Sequence, residues 1–445
     1  MKATKITPLS IYESITDKEY SFLLESPNAD NKLERYSFIG FDPACIIESR
    51  GHQTAIKENG KTRTVSGDPF EILKDILNKH QYLKKHTNLR FPGGAIGYVS
   101  YDAGRFIEKL PNIAKDDLEL PDMLFIIPKE LIIFDHGSDK ITATSEKGRQ
   151  LIEEAQTKST LSTIPTKKTF KPNISKRDFK KIVSKAKEYI KNGDIYQVNL
   201  SQRLETDVRS DPFHIYKTLR NVNPSPFASY LNFGDLKLIS CSPERQILLE
   251  NGIAETRPIA GTRPRGKNED QDDKLTGELL LNEKERAEHI MLVDLERNDI
   301  GRVCEYGSVH ADELMVVEKY SHVMHIVSNV KGKIRKDKDQ FDLFKACFPG
   351  GTITGCPKIR SMEIIEELEP VKRGPYTGTI GYFGFNGNMD MSITIRTIVL
   401  KDKKAYVQVG AGIVFDSQPE FEYYETLHKA QAMLKAIEIA EGSSK

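Results

Sequence analysis

The chain has 445 residues, more than one ordinary hydrophobic core holds, so two lobes or two domains are expected. Its 65 basic residues balance 64 acidic ones with no basic, aromatic-laced stripe, which excludes nucleic acid as an expected partner. Five scattered cysteines without a CxxC pair, no apolar leader in MKATKITPLS and no membrane-length apolar run argue against disulfides, a zinc cluster and a membrane, and for a cytoplasmic globular enzyme.

In chain order, SFLLES and RYSFIGFDP read as strands. DPFEILKDILNKHQ reads as an amphipathic helix through Phe70, Ile72, Leu73 and Ile76. FPGGAIGYVSYD reads as a glycine-punctuated strand. Residues 1–156 form an N-terminal region, and the polar, proline-containing stretch 157–173 reads as a linker. Residues 174–440 form the second region. It opens on a helix capped by Ser175, with Asp178 three residues on. Gly193 ends that helix. DIYQVNLSQRL then alternates: Tyr196, Val198 and Leu200 face one way, and Gln197, Asn199, Ser201 and Arg203 the other. The amides on the polar face suit a lined pocket as well as open solvent. Further strands are expected at LKLISCSPE, HVMHIVSNVKGKI, YTGTIGYFGF, MSITIRTIVL and KAYVQVGAGIVF. Strands grouped with interspersed helices suggest an α+β fold.

Two helices, far apart in sequence, each place two glutamates three residues apart on one face. They are Glu285 with Glu288, and Glu422 with Glu425. Such pairs suit Mg²⁺, which takes few protein oxygens and keeps several waters. The ordinary alternative is a solvated face, with Glu425 bridged to Lys429 four residues on. Gly410, Ala411 and Gly412 in VQVGAGIVF let a ligand carboxylate approach backbone N–H groups, or mark a bulge. TRPIAGTRPRG is either an anion-binding loop or a surface turn. FPGGTITGCPK is glycine-rich but lacks the Walker A spacing. Arg396, in an apolar strand, needs a buried acid or a substrate carboxylate as partner. His325, on a strand, is either a satisfied core histidine or an acid/base group.

These pieces, in this order, resemble the chorismate-utilising enzymes. The phrases that carry the resemblance are GDIYQVNLSQR, SPER, ETRPIAGTRPRG, KERAEHIMLVDLERNDIGRV, YSHVMHIVS, FPGGTITGCPKIRSMEIIEELEP, GTIGYFGFNGNMDMSITIRT and VGAGIVFDSQPEFEYYET. They cover residues 176–437 almost continuously, and LLES with RYSFIGFDP resembles the family's N-terminal region. The resemblance implies two lobes of antiparallel sheets packed face to face, with helices outside and the site in the cleft between them. It implies Glu288 and Glu425 as Mg²⁺ ligands, supported by Glu285 and Glu422. It implies Tyr382, Arg396, Gly410–Gly412 and Lys429 as carboxylate-binding positions, His325 as general acid, and Thr262 and Thr352 beside the ring.

Within that family, Gln197 stands where water-adding members have a lysine base. A glutamine takes no proton near neutral pH, so Gln197 points to the ammonia-using branch. Ammonia would come from a separate glutamine amidotransferase subunit, because the chain shows no glutaminase motif. Asn199, RNDIGRV, FPGGTITG, SITIRT and NPSPFASYL lean toward aminodeoxychorismate synthesis. Ala260, before Gly261, stands where some such enzymes carry a covalent lysine, which keeps anthranilate formation open as the alternative. A non-catalytic chorismate- or tryptophan-binding subunit is the alternative of another class. Ser26 matches a tryptophan-contacting position, but PSPFAS departs from the PSPYM form that accompanies feedback control.

Overall fold

The computed structural model describes residues 6–26, 35–84, 89–155, 165–319 and 323–442. Its strands form two antiparallel runs. The first orders Gln197–Asp207, Lys404–Ile413, Thr397–Lys401, Leu236–Ser242, Phe227–Phe233, Ser21–Glu25 and Tyr36–Arg50. The second orders Met123–Asp135, Gly94–Val99, Thr379–Gly384, Met389–Ile393, Arg245–Glu250, Ile253–Thr256 and Val323–Lys333. Both Ile259–Pro264 and His310–Lys319 pair with Val323–Lys333. The long strands Tyr36–Arg50 and Met123–Asp135 pair with each other and join the runs. A register shift between Pro43 and Cys45 lets them bend from one layer into the other.

Alternation along the strands builds the layers. Leu231, Leu238 and Val399 from the first run meet Ile96, Leu124, Ile380 and Tyr382 from the second in one buried cluster, the interior of a sandwich. The opposite faces of both runs are also apolar and are covered by helices. Pro212–Val222 and Pro419–Gly442 cover the first run. Pro69–Lys79, Glu283–Gly301 and Gln340–Cys347 cover the second. Burial on both faces explains why these strands read as near-continuous apolar segments. The architecture is the expected α+β sandwich of antiparallel sheets with helices outside.

Strands before residue 157 pair with strands after 173: Ser21–Glu25 with Phe227–Phe233, and Gly94–Val99 with Thr379–Gly384. Of the stretch 157–173, residues 157–164 lie outside the described residues. Lys171–Pro172 adds to the Gln197–Asp207 strand. The helix Lys176–Lys191 starts where expected, with Ser175 accepting from the Asp178 amide. All five cysteines are free thiols. Among the described residues no helix is long and apolar enough to cross a membrane.

Two local expectations change. Tyr196 does not join Val198 and Leu200 in the core: it precedes the strand and is 71% exposed, while both partners are fully buried. MSITIRTIVL is two strands, not one. Met389–Ile393 belongs to the second run and Thr397–Lys401 to the first. The chain crosses between layers at 394–396, and Arg396 takes φ +52 to do so.

Candidate active site

The crossing at Arg396 lies beside a second one. Leu236–Ser242 belongs to the first run and Arg245–Glu250 to the second, so Pro243 and Glu244 also bridge the layers. Backbone bonds tie the two crossings together, from Ile393 N–H to Glu244 O at 3.0 Å and from Cys241 N–H to Arg396 O at 3.2 Å. At this seam opens a cavity of about 430 Å³, within the range of small-ligand sites. Its walls include Gln197, Asn199, Glu244, Ala260, Gly261, Thr262, Glu288, His325, Thr352, Tyr376, Arg396, Gly410, Gly412, Glu422, Glu425 and Lys429.

Arg396 donates Nη1–H to the Lys429 carbonyl at 2.9 Å. Among the described residues no carboxylate lies within ion-pair distance of it. Burial lowers its pKa, while Tyr376 and Glu425 raise it. A guanidinium remains charged even so, and a buried one without an acid is costly unless a ligand anion pairs it. Glu244 is a buried carboxyl that accepts from Thr352 Oγ1 at 3.0 Å. Burial pushes its pKa up to about 7, against the opposing effects of Thr352 and Lys429.

Gln197 and Asn199 share one face of their strand, as period two requires. Gln197 Nε2 donates to Glu288 Oε1 at 3.2 Å. Opposite them lies the strand Lys404–Ile413, where a Cβ on Gly410 would sit 2.3 Å from Asn199 Oδ1 and 2.7 Å from the Tyr376 hydroxyl. A Cβ on Gly412 would sit 2.8 Å from Gln197 Nε2. The two glycines therefore make room for the amides. Lys429 Nζ donates to Gly410 O at 3.1 Å and pairs with Glu425 at 2.7 Å. Peptide groups alternate along a strand, so those of Gly410 and Gly412 face this edge and that of Ala411 faces the neighbouring strand.

The acid-rich helix Glu283–Gly301 is capped by Asn282, whose Oδ1 accepts from the Glu285 amide at 3.0 Å. Its buried face runs through His289, Leu292, Val293, Glu296, Asp299 and Ile300. Glu288 opens into the cavity from this helix, and Glu422 and Glu425 do so from the first turns of Pro419–Gly442. Glu285 lies just outside the cavity wall. Its Oε1 pairs with Arg263 at 2.6 Å, and its buried Oε2 has no hydrogen-bond partner among the described residues. The Glu425–Lys429 bridge is thus present, and both side chains still line the cavity. Among the described residues no three acidic, histidine or cysteine side chains cluster closely enough to hold a metal alone. Two carboxylates from two helices, completed by water and substrate, remain a fitting Mg²⁺ donor set.

His325 Nδ1 lies 3.1 Å from Gly261 O and 3.0 Å from Thr262 Oγ1. A carbonyl only accepts, so Nδ1 carries the proton. Burial lowers the imidazole pKa, with Gly261 opposing and Arg396 reinforcing that shift, so the ring is neutral near pH 7.

The chorismate binding enzyme family matches this chain over residues 19–435. The chain belongs to the chorismate-binding enzymes. It is 48% identical to anthranilate synthase component 1 of Acetivibrio thermocellus, over 98% of this chain and 93% of that protein. It is 45% identical to aminodeoxychorismate synthase component 1 of Bacillus subtilis (strain 168), over 96% and 94%. The solved anthranilate synthase component I from Streptococcus pneumoniae TIGR4 superposes with a TM-score of 0.81 at 39% identity, over 91% of this chain and 93% of that one. The menaquinone-specific isochorismate synthase of Escherichia coli, at 16% identity and TM-score 0.74, shares the fold.

For a chorismate-binding enzyme, two of the expected carboxylate contacts are misplaced. Tyr382 does not reach the seam cavity. Its strand, Thr379–Gly384, turns it into the sandwich interior against Phe38 and Phe91. Tyr376, six residues earlier in the same glycine-rich phrase, lines the cavity instead. Ala411 is fully buried against Val198 and Leu200 on the far face of its strand. Ser26 is found with Tyr382 in a separate cavity of about 60 Å³ between the layers. The arginines of TRPIAGTRPRG are taken up by acids: Arg257 by Glu313 and Glu318, Arg263 by Glu285, and Arg265 by Asp272. Lys358 pairs with Asp299 away from the cavity. Sequence reasoning missed Glu244 and Tyr376. The signal for Glu244 was an acid directly after a buried strand in SPER.

Proposed function

We propose that this chorismate-utilising enzyme replaces the C4 hydroxyl of chorismate with an amino group from ammonia, giving 4-amino-4-deoxychorismate. The observation that carries the reading is Arg396: a buried guanidinium that, among the described residues, has no carboxylate within ion-pair distance, facing a ring-sized cavity beside Lys429 and the Gly410 and Gly412 peptides. That wall suits a substrate carboxylate. Glu288 and Glu425 would hold Mg²⁺, with Glu285 and Glu422 supporting it. When bound, the metal supplies positive charge that fixes a carboxylate and spreads its charge.

The protonation states favour Glu244 as the acid for the departing hydroxyl, the role the family resemblance implied for His325. At neutral pH a carboxyl with a pKa near 7 keeps its proton in about half of the molecules, whereas the histidine is neutral. The C4–O bond breaks as Glu244 delivers its proton, so the hydroxyl leaves as water. A C4–N bond forms, and the carboxylate then recovers a proton from the new ammonium group. His325, fixed by Gly261 and Thr262, shapes the wall opposite. Gln197, held by Glu288, offers no base for water, which favours ammonia as the nucleophile. Its source would be a glutamine amidotransferase, consistent with relatives named as component 1 of their synthases.

The second reading is anthranilate synthesis, favoured by Ala260 and by the 48% identical relative. One experiment separates them. Purified chain is incubated with chorismate, Mg²⁺ and ammonium at alkaline pH, and products are resolved by liquid chromatography with mass detection. An amino product that keeps its pyruvyl ether, and yields 4-aminobenzoate when a lyase is added, supports the first reading. Fluorescent anthranilate with pyruvate replaces it with the second. No turnover in the wild type would favour a regulatory, non-catalytic subunit.

A further inference from the structure

Arg373 lies in the loop after the helix Lys358–Leu368 and is 3% exposed. It is absent from the cavity wall, yet every one of its donors is used. Nε and Nη2 donate to the two oxygens of Glu369, at 2.9 and 2.7 Å. Nη2 also donates to Asn199 O at 2.6 Å. Nη1 donates to Ile353 O at 3.1 Å and to Thr377 Oγ1 at 3.2 Å. A guanidinium has five N–H groups in a rigid fork, and these contacts account for all of them. The plane also lies against the rings of Tyr101 and Tyr376, 4.7 and 5.6 Å from their centroids.

The contacts have a pattern. The outer edge of Gln197–Asp207 is paired by Gly355–Cys356 at residues 197–198 and by Lys171–Pro172 at residues 204–205. Between them, among the described residues, no strand lies alongside. Asn199 N–H is taken by Thr354 O at 2.8 Å, one residue beyond the Gly355–Cys356 pairing, and the other peptide groups are met by Arg373 on Asn199 O, by Glu369 Oε1 on Ser201 N–H at 2.8 Å, and by Asn173 on Arg203. A buried ion pair therefore stands in for a strand at Asn199 O and Ser201 N–H. The same guanidinium holds Ile353, the neighbour of Thr352, and Thr377, the neighbour of Tyr376. Three separate walls of the cavity converge on one side chain that touches none of the space inside.

We propose that Arg373, locked by Glu369, is the positioning residue of this site: it sets the separation between the Gln197–Asn199 wall and the Thr352 turn that bonds Glu244. The inference rests on the amination reading. On that reading the Thr352 turn orients the acid, Glu244, against a substrate that shares the cavity with Gln197 and Asn199, and an error of about 1 Å in that placement costs on the order of 10²-fold in rate.

The test is Arg373→Lys, which keeps the charge beside Glu369 but cannot reach Asn199 O and Ile353 O together. The double variant Arg373→Gln/Glu369→Gln removes both charges, so no buried ion is left unpaired. Steady-state amination of chorismate by ammonium is measured alongside near-ultraviolet circular dichroism. The expected result is a folded protein with kcat reduced about 30- to 100-fold and the chorismate KM within about 3-fold, the signature of lost transition-state alignment. Folded variants with wild-type kcat overturn the inference. So does a rise in KM that accounts for the whole loss, or failure of both variants to fold, which would make the pair structural only. A wild-type chain that does not aminate chorismate fails at an earlier, distinguishable step and removes the amination reading together with this inference.

Discussion

Thr352 Oγ1 donates to Glu244 Oε1 at 3.0 Å, across the seam between the two sheet layers. This bond orients a buried carboxyl whose pKa has risen to about 7. A folded-state pKa above the ordinary carboxylate value favours folding below about pH 4.5, and that contribution is lost as pH rises through about 7. Glu244→Gln should therefore be more stable than wild type at pH 8, by about 3 kcal/mol at most. It should lose amination activity by about 10²- to 10⁴-fold. With free ammonia held constant, wild-type kcat/KM should fall as pH rises through about 7, and the variant's residual rate should lack that limb. Denaturation curves at pH 5 and 8, with a pH–rate profile, check all three.

Arg396 should show the opposite trade between stability and function. Arg396→Met removes a buried cation that has no carboxylate within ion-pair distance among the described residues, so the ligand-free protein should melt at a higher temperature. The same change should weaken chorismate binding by about 100-fold, or about 2.7 kcal/mol, through loss of a charge-assisted pair. Thermal melts without ligand and calorimetric titration with chorismate read the two effects separately. Unchanged chorismate affinity would remove Arg396 from the substrate site.

Glu288→Gln and Glu425→Gln should each abolish Mg²⁺-dependent turnover while leaving the fold intact, since both side chains open into the cavity. Wild-type activity should vanish with chelator and return with added Mg²⁺. Activity that survives either substitution counts against the metal assignment. Glu425→Gln also releases Lys429, so a shift in chorismate KM is expected there and not in Glu288→Gln.

Gly410→Ala tests the space around the amide wall. Its Cβ would overlap Asn199 Oδ1 and crowd the Tyr376 hydroxyl, so Asn199 must move. A loss of about 10- to 100-fold in kcat/KM is expected. Gly277→Ala, within the helix Glu269–Leu281 and with nothing near its added Cβ, is the control. It should leave activity unchanged and stabilise the protein by about 0.5–1 kcal/mol. Equal behaviour of the two variants would show that the close approach at Gly410 does not matter to the chemistry.

Tryptophan at millimolar concentration should neither inhibit nor raise the melting temperature. The cavity beside Ser26 holds about 60 Å³, room for a few waters rather than an indole, with Phe227 and Tyr382 in its lining. Rate measurements and thermal melts with and without tryptophan decide this. Inhibition would show that the pocket opens.

What the sequence determined by itself was what short-range periodicity and motif order encode. Residues two apart on a strand share a face, so Gln197 and Asn199 could be placed together from DIYQVNLSQ alone. Residues three apart on a helix share a face, which brought out the two glutamate pairs. The order of motifs marked the family. The tertiary structure decided which faces meet, because that depends on strands far apart in sequence. Glu244 and Arg396 reach one cavity only because the chain changes layers at both places. No local pattern distinguishes Tyr376 from Tyr382, yet one lines the cavity and the other packs between the sheets. Ala411 sits between two useful glycines, and pleating turns it to the opposite face. Arg373 bears no motif of its own. It matters because, among the described residues, no strand pairs the outer edge at Asn199 O and Ser201 N–H, and a buried ion pair meets those two groups.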